Sequence, residues 1–376
     1  MNEKKIRVLE AIRQGLIGGG ETHVLELVEK MDKSVFTPIV LSFTDGAMVE
    51  SLKNLGIQVH VIYSEKGFDW TVWKKVKKLI IDEQIDLVHA HGTRANSNVF
   101  WAATTLKIPL LYTVHGWSFH QDQSFLKRRI RELSEKFLTS KATTTICVSN
   151  SNQADGINRF NMKRSTIINY GIDTDKFNPN GNFKNIRQEY GILSEKTLVG
   201  FIVRMTLQKD PLTVIRAMKL VSEQTKDIVL LMVGEGDLKD DAVALAKELN
   251  LTTETLIFDN FRQDVPDLLH AIDIYCLPSL WEGLPIGLLE AMAMQKVVIA
   301  SPIDGTKEAI IDGSNGIHVP VGKPQKLAEA ILSIHQDKQL QKKLSENAIK
   351  TIYEKFTLDV MVRNIENQYK LTLKIK

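Results

Sequence analysis

Several features that would place a chain in a specialised class are missing from this sequence. Two cysteines in 376 residues are too few for a disulfide-stapled scaffold, and neither has the spacing of a metal site or a redox pair. No apolar run approaches the roughly 20 residues that a bilayer crossing needs. The start MNEKKIRVLEAI contains no apolar leader or cleavage site. These absences predict a cytoplasmic protein.

The common fingerprints of nucleotide-binding loops are missing as well. Neither the G-x-G-x-x-G dinucleotide pattern nor the G-x-x-x-x-G-K-[ST] phosphate loop occurs. No recognised fold cue or stacking platform for nucleic acid accompanies the basic stretches. We therefore expect no cofactor of these classes and no nucleic-acid partner.

The composition itself is that of an ordinary globular protein. Hydrophobic residues make up 43% of the chain and charged residues 25%, which excludes a disordered chain. At about 100–200 residues per domain, the length predicts two domains. Residues 1–172 hold 23 basic and 17 acidic side chains, whereas residues 173–376 hold 25 and 28. The basic first half suggests an anionic partner, with ordinary solvated surface as the alternative.

Short β-rich apolar runs alternate with amphipathic patterns throughout, which is typical of parallel sheets with helices on their faces. The pattern predicts strands at 6–11, 37–42, 58–63, 87–89, 110–114, 144–148, 198–203, 229–233, 255–258, 274–277, 297–300 and 316–319. It predicts helices at 21–31, 48–55, 72–82, 95–106, 126–139, 211–223, 237–249, 265–271, 287–293 and 324–337, and a helical pattern from 338 onward. The fold class is therefore α/β, with two doubly wound domains. Such sheets bind ligands beyond the carboxyl ends of their strands, so we expect a site in a cleft between two facing domains.

The domain boundary is predicted in residues 169–185, where Gly, Pro, Asn and Asp accumulate and no periodicity survives. This gives an N-terminal domain at 1–172 and a C-terminal domain at 173–355. The helical pattern after Lys338 exceeds what the second domain needs. We expect the final segment, 356–376, to return to the first domain.

The segment SLWEGLPIGLLEAMA carries the most specific chemical signal. Glu282 and Glu290 stand eight residues apart, with Gly283, Pro285 and Gly287 between them at the start of a predicted helix. A helix N-terminus with free N–H groups suits an anion, while carboxylates suit sugar hydroxyls. Together they predict a nucleoside diphosphate sugar, with an exposed helix and a turn cap as the alternative.

A second signal follows the predicted strand 198–203. Arg204 and Lys209 lie between that strand and a helix opened by Asp210 and Pro211. Two cations in such a loop can offset the charge of a departing diphosphate, a task that other enzymes give to a divalent metal. Alone, such a pair is more commonly solvated surface; beside the two glutamates it predicts a leaving-group site.

Weaker signals lie in the first half. Gly18, Gly19 and Gly20 form a loop after the first strand, where a polar ligand could approach the backbone, with Glu21 or Thr22 starting the helix. His89, His91 and His115 are at predicted strand ends, but the first two have no Cys, Asp or Glu at ligand spacing, so a metal site is not expected there. His115, followed by a glycine, is better suited to positioning a ligand.

Two further patterns allow competing interpretations. Asp173 and Asp175 have the D-x-D form of some metal-dependent transferases, but they lie in the predicted linker and we expect no metal there. The stretches 70–78 and 126–137 are basic amphipathic helices. Solvated charge with the aromatic residues in the core is one interpretation, and peripheral docking on an anionic membrane is the other.

Taken together, the motifs resemble those of glycosyltransferase family 4, the retaining nucleotide-sugar transferases of GT-B fold. The resemblance spans nearly the whole chain through GGGET (18–22), TVHG (113–116), IINYGIDTDKF (167–177), VGEG (233–236), the Arg204/Lys209 pair and EGLPIGLLE (282–290). It implies two Rossmann-like domains, with the acceptor held mainly by the first and the donor by the second, and a C-terminal helix returning to the first.

The resemblance also assigns roles to individual residues. It implies that Arg204 and Lys209 bind the donor diphosphate, Glu290 the ribose and Glu282 the donor sugar. It implies that His115 lies near the transferred sugar and that the glycine loop, Gly18, Gly19 and Gly20, closes over the donor. It also implies donor contacts from the backbone of one segment, which comprises Gly283, Pro285, Ile286, Gly287 and Leu288. Family members usually need no metal. Two positions depart from the pattern, since Tyr170 stands where Asn is common and Asp210 where Gly is common.

The resulting hypothesis is a retaining transferase that moves a hexose or N-acetylhexosamine from a nucleotide sugar to a carbohydrate or lipid-linked acceptor. The product would belong to surface polysaccharide or glycolipid synthesis. UDP is the expected nucleotide because it is the commonest carrier. The sequence identifies no protein nucleophile or general base. Two alternatives remain open: a GT-B-fold nucleotide-sugar epimerase, and a non-catalytic nucleotide-sugar-binding protein.

Overall fold

The computed structural model describes residues 5–16, 19–119 and 123–375. The chain divides into two compact units. Unit 1 contains the chain up to Gly171 and the terminal segment from Leu358, and unit 2 is the continuous stretch Ile172–Thr357. Each unit is an α/β domain built on one parallel sheet.

Unit 1 contains a seven-stranded parallel sheet with strand order β3-β2-β1-β4-β5-β6-β7. Its strands are β1 (Ile6–Ile12), β2 (Phe36–Ser42), β3 (Gln58–Val61), β4 (Leu87–His91), β5 (Leu110–Val114), β6 (Thr144–Cys147) and β7 (Ser165–Ile167). Its helices are α1 (Gly19–Lys30), α2 (Ala47–Asn54), α3 (Trp70–Asp82), α4 (Gly92–Leu106), α5 (Phe125–Lys141), α6 (Asn150–Phe160) and, at the end of the chain, α15 (Leu358–Leu373).

Alternate residues of β1 show why this sheet is covered on both faces. Leu9 and Ala11 pack into one hydrophobic cluster, whereas Val8 and Ile12 belong to clusters on the other face. A strand buried on both sides has apolar residues at successive positions, as the near-continuous run of β1 does. Glu10 interrupts that run and is completely buried.

Unit 2 contains a six-stranded parallel sheet with strand order β10-β9-β8-β11-β12-β13. Its strands are β8 (Thr197–Ile202), β9 (Ile228–Val233), β10 (Leu256–Asp259), β11 (Ile274–Leu277), β12 (Val297–Ala300) and β13 (Ile317–His318). Its helices are α7 (Ile186–Glu189), α8 (Pro211–Ser222), α9 (Lys239–Glu248), α10 (Val265–Ala271), α11 (Ile286–Ala293), α12 (Asp304–Ala309), α13 (Pro324–Gln336) and α14 (Lys338–Lys355). One large cluster joins the strands to α8 and α13.

The terminal helical pattern is two helices rather than one. Helix α14 ends at Lys355, and α15 begins at Leu358. Helix α15 belongs to unit 1, where Met361, Ile365 and Tyr369 lie one turn apart and pack into the cluster that also contains Val8. These i, i+4 positions form one buried stripe, which explains why the segment folds with the first sheet.

The sequence pattern missed α6 and β7 in unit 1 and the short helices α7 and α12 in unit 2. The buried positions of α6 are Asn152, Gly156 and Phe160, so the helical spacing is present but only one of the three is a large apolar residue. Ser149 starts the helix by accepting a hydrogen bond from the Asn152 backbone N–H at 3.1 Å. Strand β7 has only three residues, all half-buried. Hydrophobic periodicity is too weak a signal for such elements.

Candidate active site

In unit 2, adjacent strands bring two loops together. Strands β8 and β11 are neighbours, so the loops beyond their carboxyl ends lie side by side. The loop after β8 contains Lys209 and the loop after β11 contains Glu282, and these two side chains form an ion pair. Both are largely buried, with the Lys209 side chain 16% exposed and that of Glu282 6% exposed. Two separate motifs of the sequence therefore meet in one place.

Glu282 also accepts hydrogen bonds from two neutral side chains. Ser279 Oγ donates to Oε1 at 2.7 Å, and Gln208 Nε2 donates to Oε2 at 3.2 Å. Backbone contacts join the same loops, because the Leu280 N–H donates to the Gln208 carbonyl at 2.8 Å. Gln208 Nε2 also donates to the Trp281 carbonyl at 2.9 Å. The position of the carboxylate is thus fixed by both loops.

Arg204 is held differently from Lys209. Its side chain is exposed, and within the described residues it makes no ion pair or side-chain hydrogen bond. Its backbone is fixed by the VGEG segment, since a Cβ on Gly234 would lie 2.3 Å from the Val203 carbonyl oxygen and one on Gly236 would lie 2.2 Å from that of Met205. The glycines are required for this close backbone packing. Arg204 is therefore a cation on a fixed loop with its guanidinium available to a ligand.

Helix α11 begins beside Glu282 with unsatisfied backbone donors. Pro285 is the residue before its first turn and no side chain caps it, so the N–H groups of Ile286 and Gly287 have no acceptor among the described residues. The Leu288 N–H donates to the Pro285 carbonyl at 3.1 Å, and the Leu288 side chain is buried. The preceding Gly283 is packed against Gly305, whose Cβ would fall 1.2 Å from the Gly283 carbonyl oxygen. This arrangement presents N–H groups and the positive end of the helix dipole, both of which favour an anion.

Glu290 is also on α11, one turn further along. Desolvation raises the pKa of Glu290 to about 7, although the positive charge of Lys176 opposes the shift. Within the described residues its carboxylate has no hydrogen-bond partner, so both oxygens are free to accept hydrogen bonds from hydroxyl groups. Tyr275 of β11 is fully buried nearby, and burial followed by the charges of Glu290 and Glu282 raises the pKa of its phenol well above the ordinary value.

In unit 1, the predicted residues lie around β4 and β5. Gly19 and Gly20 are the first two residues of α1 rather than loop residues, so the prediction that this helix begins at Glu21 or Thr22 is wrong. Gly18 lies outside the described residues. A Cβ on Gly20 would lie 3.5 Å from Cδ2 of His115, which places the helix start against that ring. Burial, with the nearby charges of His23 and His91, holds the pKa of His115 well below its ordinary value, so its imidazole is neutral at pH 7.

His115 is part of a larger buried polar cluster. Its Nδ1 lies 2.6 Å from the Tyr170 hydroxyl, and its Nε2 lies 3.2 Å from Nδ1 of His91. Nε2 of His91 is in turn 2.8 Å from a carboxylate oxygen of Glu10. Glu10 comes from β1, opposite His89 in the strand register. The expectation that no acidic group lies near the β4 histidines is therefore wrong, because a neighbouring strand supplies one.

The remaining predicted residues have structural roles or lie on the surface. The Asp173 carboxylate accepts hydrogen bonds from the backbone N–H groups of Asp175 and Lys176 at 2.9 and 3.2 Å, which closes a turn. Trp73 packs against the core as expected, but Trp70 is 75% exposed. Within the described ranges, no helix is long and apolar enough to cross a membrane.

Two family models match consecutive parts of the chain. The model "Glycosyltransferase Family 4" matches residues 17–176, and "Glycosyl transferases group 1" matches residues 182–351. The chain belongs to glycosyltransferase family 4. The two models cover the greater part of units 1 and 2 respectively, so the membership applies to both units.

Individual members of the family and solved structures agree with this assignment. An Escherichia coli protein, UDP-Gal:alpha-D-GlcNAc-diphosphoundecaprenol alpha-1,3-galactosyltransferase, is 29% identical over 300 residues, covering 78% of this chain and 77% of that protein. A Rickettsia africae glycosyltransferase structure has a TM-score of 0.86 at 23% identity, covering 99% of this chain and all of that one. The Anabaena HepE structure with UDP-glucose has a TM-score of 0.83 at 22% identity, covering 97% and 99%. The chain is therefore a glycosyltransferase with the GT-B fold.

Sequence reasoning missed several polar residues of the candidate site. Gln208, Ser279 and Tyr275 contact or flank the two glutamates, yet each is a common residue type in an unremarkable position. The sequence could have predicted a role for Glu10, since a carboxylate in the middle of an otherwise apolar strand must be paired to be buried. His23 had no such signal, because one histidine on a helix face fits many environments.

Proposed function

We propose that this glycosyltransferase is a retaining enzyme that transfers a hexose or N-acetylhexosamine from a UDP-sugar to an acceptor hydroxyl in the synthesis of a surface polysaccharide or glycolipid. The observation that carries the proposal is the grouping in unit 2 of Arg204, the Lys209–Glu282 pair, the α11 N-terminus and Glu290. The choice of UDP is supported by the names of the E. coli and Anabaena proteins, which include UDP-galactose and UDP-glucose.

In the proposed reaction, different groups of the site bind different parts of the donor. The free N–H groups of α11, Arg204 and Lys209 suit the diphosphate, whose negative charge grows as the glycosidic bond to it breaks. The carboxylates suit hydroxyl groups, with Glu290 at the ribose and Glu282 at the transferred sugar. Lys209 and Glu282 neutralise each other through their ion pair, so donor binding must separate them or share both between phosphate and sugar.

Transfer with retention places the acceptor hydroxyl on the same face of the sugar as the departing diphosphate. The new bond joins the acceptor oxygen to the anomeric carbon as the bond to the diphosphate oxygen breaks, and the departing phosphate oxygen takes the hydroxyl proton. His115 is neutral and is proposed to position the sugar rather than to carry charge. We propose that cations of the chain, not a metal ion, stabilise the leaving group, so activity should survive treatment with EDTA.

A nucleotide-sugar panel tests the assignment. Wild-type protein is incubated with UDP-, GDP- and ADP-sugars, with and without acceptor extracts, and released nucleotide and product are measured by mass spectrometry. We expect Lys209→Ala and Glu282→Ala to reduce turnover by at least about 100-fold, which is the scale of losing one group that stabilises charge in the transition state. Lys219→Ala is the matched control, because Lys219 pairs with Glu223 on the surface of the same unit.

The outcomes separate the competing functions. Turnover that is unchanged in both variants would show that the site is wrongly assigned. Interconversion of the sugar without an acceptor would identify an epimerase, and donor binding without turnover would identify a non-catalytic binding protein. The anomeric configuration of the product, read from proton NMR couplings, decides between retention and inversion.

We also propose that unit 1 docks on an anionic membrane through the exposed face of α5. Four apolar residues, Leu126, Ile130, Leu133 and Phe137, recur at helical spacing and are 41–70% exposed. At 3.6 residues per turn they lie opposite the buried stripe, which contains Glu132, Glu135, Leu138 and Thr139. An apolar stripe that points to solvent is unusual for a globular surface and suits the headgroup region of a bilayer.

Basic residues flank this stripe on both sides. Helical geometry places Arg129 and Lys136 along one edge and Lys127 and Lys141 along the other. Phe68 extends the apolar surface, with its ring centroid 6.3 Å from that of Phe137. Each basic residue near an anionic membrane contributes about 1 kcal/mol, so the face combines insertion with electrostatic attraction.

Vesicle co-sedimentation tests the docking face. We expect the protein to sediment with phosphatidylglycerol-containing vesicles but not with phosphatidylcholine vesicles, and to be released at high salt. Leu126→Ser should weaken sedimentation, while Leu371→Ser, at a similarly exposed position on α15, should not. Equal behaviour of the two variants, or sedimentation independent of lipid charge, would refute the α5 assignment.

A further inference from the structure

Three histidines from three elements of unit 1 converge on one small volume. His23 comes from α1, His91 from the end of β4, and His115 from the residue after β5. One ring nitrogen from each lies within 4.8 Å of the others. His23 and His91 are buried and His115 is half-buried, so the group is enclosed by protein rather than scattered over a surface.

Two of the rings already have the spacing of metal ligands. Nδ1 of His91 and Nε2 of His115 are 3.2 Å apart. Two nitrogen ligands of a tetrahedral zinc ion with bonds of about 2.05 Å are separated by about 3.3 Å. Only His23 must move closer, by no more than about 1.5 Å, to complete a three-histidine set with that geometry.

The outer nitrogens of the same rings are held by hydrogen bonds. Nε2 of His91 lies 2.8 Å from the Glu10 carboxylate, and Nδ1 of His115 lies 2.6 Å from the Tyr170 hydroxyl. A ligand histidine commonly donates its other N–H to a carboxylate, which fixes the tautomer that leaves the inner nitrogen unprotonated. Glu10 gives His91 that arrangement, because its carboxylate faces Nε2 and leaves Nδ1 pointing to His115.

His23 supplies an independent observation. Its ring is 4% exposed, and neither nitrogen has a hydrogen-bond partner among the described residues. It is surrounded by rings, with centroids 5.5 Å from His91, 5.1 Å from His115 and 5.4 Å from Tyr170. A buried imidazole without a partner costs free energy, and a ligand bound between the three rings would remove that cost.

We propose that His23, His91 and His115 form a binding site for a zinc-class divalent metal ion. Neutral imidazoles favour zinc over magnesium or calcium, which prefer oxygen ligands. The buried carboxylate of Glu10 offsets the charge of the ion, while the nearby Arg13 is itself paired with Glu21 at 3.4 Å. Three ligands leave the fourth position open to water or to another molecule.

This site gives a consequence for the transfer reaction that rests on the proposed function. His115 cannot position the donor sugar and ligate a metal ion with the same nitrogen. Zinc should therefore compete with the nucleotide sugar and inhibit turnover, although the reaction itself needs no metal.

Cobalt titration of the untagged, EDTA-treated full chain tests the site directly. We expect one equivalent of Co²⁺ to produce the intense visible absorption of a tetrahedral cobalt site, and Zn²⁺ to abolish that absorption by displacement. His23→Phe keeps an aromatic ring in the same place but removes a ligand, so it should eliminate the signal. Glu10→Gln should weaken affinity by about 10 to 100-fold, as expected for loss of a group that orients a ligand.

His60→Ala is the matched control, since His60 is a partly exposed histidine of the same unit outside the cluster. No visible band in the wild-type protein, or an equal band in His23→Phe, would overturn the proposal. A band that depends on His23, without any zinc inhibition of turnover, would support the metal site and refute the donor role of His115. The two proposals can therefore fail separately.

Discussion

At the scale of single residues, Glu282 and Glu290 show how one short segment creates two different carboxylates. Glu282 is paired with Lys209 and accepts two further hydrogen bonds. Glu290 is desolvated without a hydrogen-bond partner among the described residues, and its pKa rises to about 7. Glu282 is fixed in position by its neighbours, whereas Glu290 is poised to change charge near neutral pH.

Glu290→Gln should reveal this difference through pH-dependent stability. The folded-state pKa of Glu290 lies near 7 and the ordinary value is 4.5, so between these values the folded state binds more protons than the unfolded state. Stability contributed by this group is therefore present at low pH and lost as pH rises through 7. The variant should be more stable than wild type by about 3 kcal/mol at pH 8 and equal to it near pH 4.5.

Urea unfolding of both proteins between pH 4.5 and 8.5 measures the effect. Stability profiles that stay parallel across this range would show that Glu290 is not desolvated as described. The same substitution should weaken nucleotide-sugar binding at pH 8, because a neutral amide is a poorer acceptor than a carboxylate.

Asp210 and Tyr170 show what residue identity could and could not predict. The family resemblance implies glycine at the position of Asp210, and the backbone there is left-handed with φ 51°, a conformation that favours glycine. Its carboxylate compensates by capping α8, accepting from the Thr213 N–H at 3.2 Å. Tyr170 replaces a common asparagine but is buried against His115, a contact between residues 55 positions apart that no local pattern encodes.

At the scale of elements, the start of α11 depends on close packing against β11. A Cβ on Gly287 would lie 2.8 Å from the Tyr275 hydroxyl oxygen, nearer than a side chain can approach. The hydroxyl makes only a 3.5 Å contact with the Ile202 carbonyl, so it is weakly held. The glycine thus provides space for one oxygen atom beside the proposed phosphate-binding turn.

A double-mutant cycle tests this packing. Gly287→Ala should destabilise the protein by about 1 to 3 kcal/mol through overpacking. Tyr275→Phe should cost less than about 1 kcal/mol, because it removes a poorly bonded hydroxyl. The double variant should recover most of the loss, giving a coupling energy of about 1 to 2 kcal/mol in thermal or urea unfolding. Additive losses would place the constraint on Gly287 elsewhere, for example at its backbone N–H.

Helix α15 is joined to the first sheet by a buried hydrogen bond. The Tyr369 hydroxyl donates to Glu10 Oε1 at 2.6 Å and lies 2.7 Å from Nδ1 of His89. Tyr369→Phe keeps the ring but leaves a buried carboxylate without this donor. We expect a loss of about 1 to 3 kcal/mol in the free energy of unfolding.

Tyr353→Phe is the control for this substitution, because Tyr353 is 52% exposed on α14. It should change stability by no more than about 0.5 kcal/mol. Equal effects of the two substitutions would mean that the Glu10 contact contributes nothing to the attachment of α15.

The elements also explain why the sequence predicted the sheets better than the site. Strands such as β5, Leu110–Val114, and β11, Ile274–Leu277, are short, fully buried and mostly apolar runs, and their bounds were predicted without error. The Lys209–Glu282 pair joins residues 73 positions apart, and its proximity follows only from the adjacency of β8 and β11. Local pattern specifies an element, whereas strand order decides which loops meet.

At the scale of the whole molecule, net charge does not point to the proposed anion site. The first half of the sequence is basic and the second slightly acidic. Yet Arg204, Lys209 and the uncapped start of α11 all lie in the acidic half. A few fixed charges and oriented N–H groups determine binding at short range, while net charge acts only over longer distances.

The division of the chain makes the two units unequal as independent folding units. Unit 2 is one continuous stretch of chain. Its hydrophobic cluster contains residues of α8 from the early part of that stretch and of α13 and α14 from the late part. Unit 1 is interrupted, since its cluster around Val8 and Phe36 is completed by α15 from the end of the chain. A fragment ending at Gly171 would expose the apolar surface that Leu358, Met361, Val362, Ile365 and Tyr369 cover.

We therefore expect residues 172–357 to fold alone and residues 1–171 to fail without α15. The first fragment should melt cooperatively and show dispersed NMR signals, because the helices and strands that form its hydrophobic cluster all lie within residues 172–357. The second should aggregate or bind hydrophobic dyes, and fusing residues 358–376 to it through a flexible linker should restore a cooperative transition. Because fully burying a large apolar side chain contributes about 1.5 to 3 kcal/mol, losing five such contacts removes an amount comparable to the whole stability of a typical domain, which is about 5 to 15 kcal/mol. A cooperative transition in 1–171 by itself would show instead that α15 is an addition to a core already complete.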